Sequence, residues 1–202
     1  MNIQSCHIDD IPHIEAFIMQ MFPAVRHAFP TLTDQQFLST MIAWRNAHRD
    51  PCRGIFLACD KGRIVGSIFA STADDMSPGW FATWRVTRAL GLTHGLKLWA
   101  ILVKSSSYQI ERHEVYLSGI AVLPDYRRDG IAHQLIETAI NYSHQREKHV
   151  ITCLILSTNV PSRSLVTTMG FKLRNSIRSI LLRLRPHKPR LLLYEKRIHP
   201  LG

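Results

Sequence analysis

Six consecutive residues in the middle of the chain have the composition of an anion-binding turn. The run Arg127-Arg128-Asp129-Gly130-Ile131-Ala132 stands directly before an apolar pattern of helical period. The first N–H groups of a helix have no intrahelical acceptor and lie at the positive end of its dipole, so such a turn can bind a phosphate or pyrophosphate. The glycine allows close backbone approach, and the arginines add positive charge. A plain β-to-α turn with solvated arginines is the alternative that this run leaves open.

The turn lies between a predicted strand and a predicted helix. Tyr116–Val122 is a run of strand-forming residues, and the apolar positions from Ile131 to Ile140 recur at helical spacing. Val150–Leu156 is a continuous apolar run of strand length, typical of a central strand that is buried on both faces. Because strand, helix and strand form a βαβ unit, we expect the two strands to be parallel neighbours.

The segments before this unit predict a short strand, two packing helices and a β-hairpin. The short strand is Asn2–Cys6, and the first helix begins at Asp9-Asp10-Ile11-Pro12 and ends near Phe22-Pro23. Thr33–Gln36 has the form of a capping box at the start of the second helix. Two β-rich runs separated by Asp60-Lys61-Gly62-Arg63 then indicate the hairpin.

The remaining segments complete a single α/β domain, 1–202, with a mixed sheet. The stretch from Trp80 to Tyr108 is mostly helical in pattern, which predicts a helical insertion at about 80–110. Asn159–Met169 is predicted to be a short helix ended by Gly170. Two further strands are expected at Ser176–Arg185 and Leu191–Ile198.

Positive charge is concentrated at the C-terminal end. The formal net charge is +10, and the residues from Phe171 onward contain nine lysines and arginines against the single acid Glu195. A predicted strand over Ser179–Arg185 would place Arg183 and Arg185 on one face. This stripe could attract an acidic acceptor, and a solubilising surface is the alternative.

Hydropathy and cysteine usage indicate the environment of the protein. The longest clean apolar run, Leu98–Val103, is far shorter than the roughly 18 residues of a membrane helix, and the N-terminus lacks the pattern of a signal peptide. A cytoplasmic protein with no membrane partner is therefore expected. The four cysteines form no Cys-x-x-Cys pair, which favours buried, reduced thiols.

The two halves of the βαβ region together resemble the GNAT superfamily of acyl-CoA-dependent N-acyltransferases. The signature turn of that family is Arg or Gln, two variable residues, Gly, one variable residue, then Gly or Ala, which is the form of Arg127–Ala132. The preceding Val122–Tyr126 is similar to the usual approach to the turn. Asn159, Leu165 and Gly170-Phe171 fall at the spacing of the second family motif.

The resemblance implies a fold and a cofactor. The expected fold is a central, mostly antiparallel sheet with one parallel pair that splays apart, flanked by helices. The expected cofactor is acetyl-CoA, with its pyrophosphate on the backbone amides of the turn and its pantetheine arm against the strand before the turn; no metal is implied. Asn159 would either contact the pantetheine or cap its helix. The implied cofactor-binding residues are Ile120, Ala121, Val122, Arg127, Arg128, Asp129, Gly130, Ile131, Ala132 and Asn159.

The implied reaction is direct attack of a primary amine on the acetyl thioester in a ternary complex, which requires a base near the cleft. Related enzymes often carry a glutamate eleven residues before the first motif residue, and that position is Tyr116. Glu114 lies two residues earlier on the same side of the strand and is the predicted base. Glu114 and Tyr116 are thus the catalytic candidates, and His113 and Glu111 are the weaker ones.

The acid that protonates the leaving thiolate is a second departure from the family pattern. Many members have a tyrosine seven residues after the second-motif asparagine, whereas this chain has Val166 there. Tyr126, Tyr142 or water could take that role. A catalytically weak acyl-CoA-binding regulator and a basic RNA- or ribosome-associated module therefore stay open as alternatives. The sequence encodes neither the acceptor amine nor the oligomeric state, a homodimer included.

Overall fold

The computed structural model describes residues 1–23, 32–46, 50–75, 108–177 and 190–198. These form seven strands, four α-helices and two short 3₁₀ turns within the described ranges. The strands are β1 (Asn2–Ser5), β2 (Ile55–Asp60), β3 (Arg63–Ser71), β4 (Glu114–Val122), β5 (Val150–Leu156), β6 (Lys172–Ile177) and β7 (Leu191–Arg197). The helices are α1 (Ile11–Met21), α2 (Asp34–Asn46), α3 (Ile131–Gln145) and α4 (Val160–Thr168).

All seven described strands belong to one mixed sheet. Their order is β1-β2-β3-β4-β5-β7-β6, and β4 with β5 is the parallel pair. The other neighbours are antiparallel. The expected sheet, mostly antiparallel with one parallel pair and flanked by helices, is confirmed. Parallel strands need a crossover connection, and α3 supplies it here.

The two faces of the sheet have separate apolar clusters. In β2, Phe56 and Ala58 belong to the main cluster, whereas Ile55 and Leu57 belong to a second one. Since successive strand residues point to opposite faces, the two clusters lie on opposite sides of the sheet. The main cluster includes the buried stripe of α3, and the second includes Ile14 of α1. Each fully buried aliphatic side chain of this kind stabilises the fold by about 1.5–3 kcal/mol.

Local signals in the sequence set the ends of several elements. The capping box is confirmed: the Thr33 N–H donates to Gln36 Oε1 at 2.9 Å, and the Gln36 N–H donates to Thr33 Oγ1 at 3.2 Å. The hairpin is also confirmed, with Lys61 and Gly62 at φ of +48° and +77°. Two positive φ values in a two-residue turn match the right-handed twist of the strands.

Some predicted elements differ from the structure or lie outside it. β4 begins at Glu114, two residues before the predicted start, and β6 covers Lys172–Ile177, so it begins before the predicted Ser176. The helical insertion predicted at about 80–110 falls almost wholly on residues 76–107, outside the described residues. The predicted cationic strand at Ser179–Arg185 also lies outside them.

Two further sequence predictions concern membranes and thiols. Among the described residues, no helix has the length and apolar character needed to cross a bilayer. The four cysteines are free, with Cys6 and Cys153 buried and Cys52 and Cys59 half-buried.

Candidate functional site

The two parallel strands stay paired over four residues and then separate. Glu114–Leu117 of β4 pairs with Val150–Cys153 of β5. β4 then continues to Val122 beside β3, and β5 continues to Leu156 beside β7. In the described part of the chain, the facing edges of β4 and β5 therefore have no sheet partner at their carboxyl ends. A cleft bounded by unpaired backbone groups opens there.

A β-bulge in β4 lies at the start of this cleft. Gly119 and Ile120 together oppose the single residue Ile68 of β3, since the register shifts by one residue there. Gly119 has φ +60°, a conformation that glycine adopts without steric cost. Bulges bend the strand that carries them, so this one lies where β4 turns away from β5.

The predicted anion turn begins directly after β4. A 3₁₀ turn covers Pro124–Tyr126, Arg127 is extended, and Arg128 has φ +74°. This left-handed conformation is uncommon for a residue other than glycine and costs roughly 1–2 kcal/mol. Strain of this kind persists where the surrounding structure enforces it and is frequent at ligand sites.

The turn ends at the N-terminus of α3, which has free backbone donors. Gly130 is the N-cap, with φ +76° and no capping side chain. The first helical hydrogen bond runs from the Gln134 N–H to the Gly130 carbonyl at 3.0 Å. The N–H groups of Ile131 and Ala132 therefore have no intrahelical acceptor. A Cβ built on Gly130 would meet no atom within 4 Å, so the space over this turn is open.

The two arginines of the turn have different roles. The Arg127 Nε donates to the Val122 carbonyl at 3.1 Å, which ties the turn back to the end of β4. Arg128 and Asp129 are exposed. Arg127 therefore helps to hold the backbone of the turn, whereas the exposed guanidinium of Arg128 is placed to contact a ligand.

The second motif faces the turn from the other strand of the cleft. Asn159 is the N-cap of α4, and its Oδ1 accepts from the Ser162 N–H at 3.3 Å. This confirms the capping interpretation of Asn159, and its side chain is also exposed. Arg163 of α4 donates from Nη1 to the Ser157 carbonyl at 2.9 Å, which fixes the connection from β5.

Glu114 is buried in a hydrogen-bonded network at the paired end of β4. Its side chain has no exposed surface, and it accepts from the Tyr108 hydroxyl at 2.7 Å and the Glu111 N–H at 3.1 Å. Arg174 Nη1 lies 3.3 Å from the other carboxylate oxygen. Three donors from the described residues thus contact the Glu114 carboxylate, two at one oxygen and one at the other.

Tyr116 lies beside this network and nearer to the cleft. Its ring centroid is 5.7 Å from that of Tyr108, at an interplanar angle of 32°. Burial raises the pKa of Tyr116 to about 12. Burial, together with the hydrogen bond to Glu114, raises the pKa of Tyr108 to about 12. Both hydroxyls are therefore protonated at neutral pH.

The side chains at and near the expected position of the acid that protonates the thiolate have different surroundings. Val166 is 1% exposed and packs in the main core. The Tyr126 hydroxyl lies 3.1 Å from Asp60 Oδ2, at the hairpin turn. Tyr142 is buried edge-on to Phe56 at a centroid distance of 5.5 Å. Tyr116, which the sequence analysis considered only at the position of the usual base, is in β4, the strand that borders the cleft.

Two residues of the site have no signal in the sequence pattern. Arg174 bridges Glu114, Glu195 at 3.1 Å and Glu111 at 4.0 Å, across β4, β6 and β7. A register shift between Leu173 and Asn175 determines where this side chain lies. Thr152 has no exposed surface and lies opposite Tyr116. Strand pairing alone brings these residues to the site.

A cluster of possible metal ligands and a cavity are found among the described residues. Glu111, His113 and Glu114 have potential ligand atoms within 4.8 Å of one another, but Arg174 already supplies the countercharge there. A cavity of about 660 Å³ lies between α1 and the hairpin turn, and its lining includes none of the predicted catalytic residues.

Comparisons with known proteins support the same fold. The family model described as the Acetyltransferase (GNAT) family matches residues 18–171. A solved acetyltransferase is similar over 98% of this chain and 100% of its own, at 15% identity and TM-score 0.72. The ribosomal-protein-S18-alanine N-acetyltransferase from Escherichia coli is similar over 100% and 96%, at 17% identity and TM-score 0.57. Ard1 from Thermoplasma volcanium is similar over 98% and 97%, at 12% identity and TM-score 0.60.

No curated protein matches the sequence. The structural likenesses show the fold, and the family model covers most of the chain, including both motifs around the cleft. The chain therefore belongs to the GNAT acetyltransferase family, whose cofactor is acetyl-CoA.

Proposed function

We propose that this protein transfers the acetyl group of acetyl-CoA to a primary amine by direct attack in a ternary complex. The observation that carries the proposal is the placement of an uncapped helix N-terminus at the open end of the cleft between β4 and β5. An anion site and an unpaired strand edge on one cleft suit a ligand with a pyrophosphate and an extended amide-containing arm.

The residues present fit such a ligand. The backbone amides from Arg128 to Ala132 would hold the pyrophosphate, with Arg127 and Asp129 shaping the turn and Gly130 leaving the space over it open. The edge of β4 that no longer pairs with β5, at Ile120, Ala121 and Val122, would hold the pantetheine arm through backbone hydrogen bonds. Asn159 would contribute its side-chain amide from the opposite wall.

Acetyl-CoA supplies an activated acyl group. The protein must remove a proton from the attacking amine and supply one to the departing thiolate. We assign the base to Glu114, whose burial favours a route through the hydrogen-bonded Tyr108 hydroxyl or a water molecule. Tyr116 is assigned the complementary role of proton donor to the departing thiolate. Its raised pKa of about 12 keeps it protonated over the working pH range.

The acceptor is a primary amine of a small molecule or a protein. The charge count of the C-terminal region suggests an acidic partner, but the contacts of the described residues there weaken that suggestion. In the described part of that region, Arg174 and Arg197 are paired with carboxylates, and Lys196 Nζ donates to the Met169 carbonyl at 2.8 Å. A cytoplasmic location and a homodimer are compatible with this proposal.

A regulator that binds acyl-CoA without efficient transfer is the second candidate. It is favoured by Val166, which is buried in the core where many family members carry their acid. Transfer and regulation differ in turnover, not in cofactor binding.

Calorimetry followed by turnover separates these functions. Titration with acetyl-CoA should give a dissociation constant of tens of micromolar or tighter, and thiol release over a panel of primary amines should identify an acceptor. No binding at that concentration excludes both candidates. Binding without thiol release on any amine, under conditions where a known family enzyme is active, favours the regulator.

A further inference from the structure

The bulge at the start of the cleft is held from β3 by two side chains. Ser67, which is fully buried, donates its hydroxyl to the Gly119 carbonyl at 2.9 Å. The Phe69 ring lies against the Gly119 Cα, since a Cβ built there would be 2.8 Å from Phe69 Cδ2. The carbonyl and the Cα of one bulge residue therefore each have a fixed contact.

The Phe69 ring is itself held by an ion pair from the two N-terminal helices. The Arg45 guanidinium of α2 lies 5.0 Å from the ring centroid. Its Nε donates to Glu15 Oε1 of α1, and the Glu15 side chain is 1% exposed. A continuous set of contacts thus runs from α1 through α2 and β3 to the bulge in β4.

These contacts resist displacement. A buried carboxylate needs its cationic partner, so Glu15 fixes where the Arg45 guanidinium lies. A guanidinium over an aromatic face favours one ring orientation. The ring then fills the space that the Gly119 Cα would enter if the bulge moved toward the helices.

We infer that Glu15, Arg45, Phe69 and Ser67 form a brace that positions the Gly119 bulge for acyl transfer. The inference rests on the proposed function, because the bulge begins the strand edge assigned to the cofactor arm. The four side chains are positioning residues: they act through the backbone of Gly119 and Ile120, which places the acyl carbonyl. A misplacement of about 1 Å at a reacting group can lower the rate on the order of a hundredfold.

A matched pair of glycine substitutions tests the brace. Gly119→Ala adds a Cβ that collides with the Phe69 ring at a residue of φ +60°. Gly62→Ala introduces similar backbone strain, at φ +77°, in a turn where the new Cβ meets no atom within 4 Å. Gly119→Ala should lower kcat by tenfold or more, and Gly62→Ala should change it less than twofold. CoA affinity should stay within about threefold in both, since the pyrophosphate turn is untouched.

Phe69→Leu and the double variant Phe69→Leu/Gly119→Ala complete a cycle. Leucine removes the cation–π contact and the ring atom Cε2, which lies 2.9 Å from the built Cβ, and its branched end can turn away from Gly119 as a planar ring cannot. If the ring transmits the effect, the two losses in kcat should be less than multiplicative, because both act on one contact. Fully multiplicative losses, or equal rates for Gly119→Ala and Gly62→Ala, would overturn the inference.

A second readout needs no acceptor amine. The ¹³C shift of the carbonyl of [1-¹³C]acetyl-CoA bound to the protein reports the groups around that carbonyl. Gly119→Ala, Phe69→Leu and Ser67→Ala should each move the shift toward its value in free solution, whereas Gly62→Ala should leave it unchanged. Ser67→Ala adds no bulk, so it tests the brace even if Gly119→Ala does not fold. An unchanged shift in the folded variants contradicts the brace, and failure of every amine to react contradicts only the proposed transferase function.

Discussion

At the scale of single residues, the predicted anion turn combines strain with charge. Arg128 adopts a left-handed conformation at φ +74° although glycine would be less strained there. The arginine side chain is exposed and has no packing role that would favour it. An exposed guanidinium at this position can contact a bound anion.

Arg128→Gly should therefore separate stability from affinity. Relief of the left-handed strain is offset by the greater entropy of glycine in the unfolded chain, so the free energy of unfolding should change by less than about 1 kcal/mol. Loss of the charged contact should weaken acetyl-CoA binding by about tenfold. Thermal denaturation and calorimetry measure the two effects. Lys61→Gly, at φ +48° in the hairpin, is the matched control and should leave affinity unchanged.

Glu114→Gln tests the assigned base. The substitution keeps the shape of the side chain but removes its basicity, so kcat near neutral pH should fall by a factor on the order of a hundred and the acidic limb of the pH–rate profile should flatten. Acetyl-CoA affinity should be nearly unchanged, since Glu114 is at the opposite end of β4 from the turn.

Glu111→Gln is the control for that substitution. Glu111 contacts the same Arg174 but its side chain is 54% exposed, so it should retain most of the activity. Equal rates for Glu114→Gln and the wild-type protein would remove Glu114 from the mechanism.

Tyr116 should affect stability at alkaline pH. Its folded-state pKa is raised to about 12 from an ordinary value of 10.0, so the folded state favours the protonated form. The resulting stabilisation is fully present below pH 10 and is lost as pH rises from 10 through 12. Denaturant unfolding of Tyr116→Phe should show a shallower loss of stability over this interval than the wild-type protein shows. Identical pH dependence in the two proteins would mean that Tyr116 is not protected by burial.

At the scale of elements, each wall of the cleft has its own helix start. α3 begins at an uncapped glycine, so its first N–H groups stay available to a ligand. α4 begins after the capping residue Asn159, so at least one of its first N–H groups, that of Ser162, already has a hydrogen-bond acceptor. This asymmetry places the stronger anion site on the β4 side of the cleft.

The second wall gives a prediction at Asn159. Asn159→Ser should preserve the cap, and with it the free energy of unfolding to within about 0.5 kcal/mol. It should weaken acetyl-CoA binding several-fold, because serine lacks the amide that we assign to the cofactor. Thr33→Ala removes the cap of α2 and should lower stability by about 1 kcal/mol with no effect on affinity. Wild-type affinity in Asn159→Ser would limit Asn159 to its capping role.

At the scale of the whole molecule, the proposed cofactor would contact both walls of the cleft, which diverge beyond the paired residues of β4 and β5. β4 leads into the first motif, β5 leads into the second, and the two strands share only four paired residues. A ligand that contacts both walls should therefore stabilise the folded state as a unit.

Acetyl-CoA at about one hundred times its dissociation constant should raise the free energy of unfolding by about 2.7 kcal/mol. For a protein of this length, this corresponds to a rise in Tm of roughly 5–10 °C. Acetylpantetheine, which has no pyrophosphate, should give a much smaller rise at the same concentration. An equal rise with both compounds would show that the turn does not anchor the cofactor.

Local and short-range signals determined much of this protein from sequence alone. The capping box at Thr33, the hairpin at Lys61-Gly62, the strand, turn and helix around Gly130 and the parallel partner strand all depend on neighbouring residues, and all are observed. The family also follows from two short motifs at fixed spacing.

The tertiary structure decided what depends on strand pairing. The sequence predicted Glu114 two residues before the start of the strand and carried no sign of its contact with Arg174, because that contact requires β6 to pair with β7, which in turn lies beside β5. None of Glu15, Arg45 and Phe69, which belong to three different elements, was singled out from the sequence. Register shifts and packing between distant segments brought them to Gly119, and such long-range geometry leaves no periodic trace in the chain.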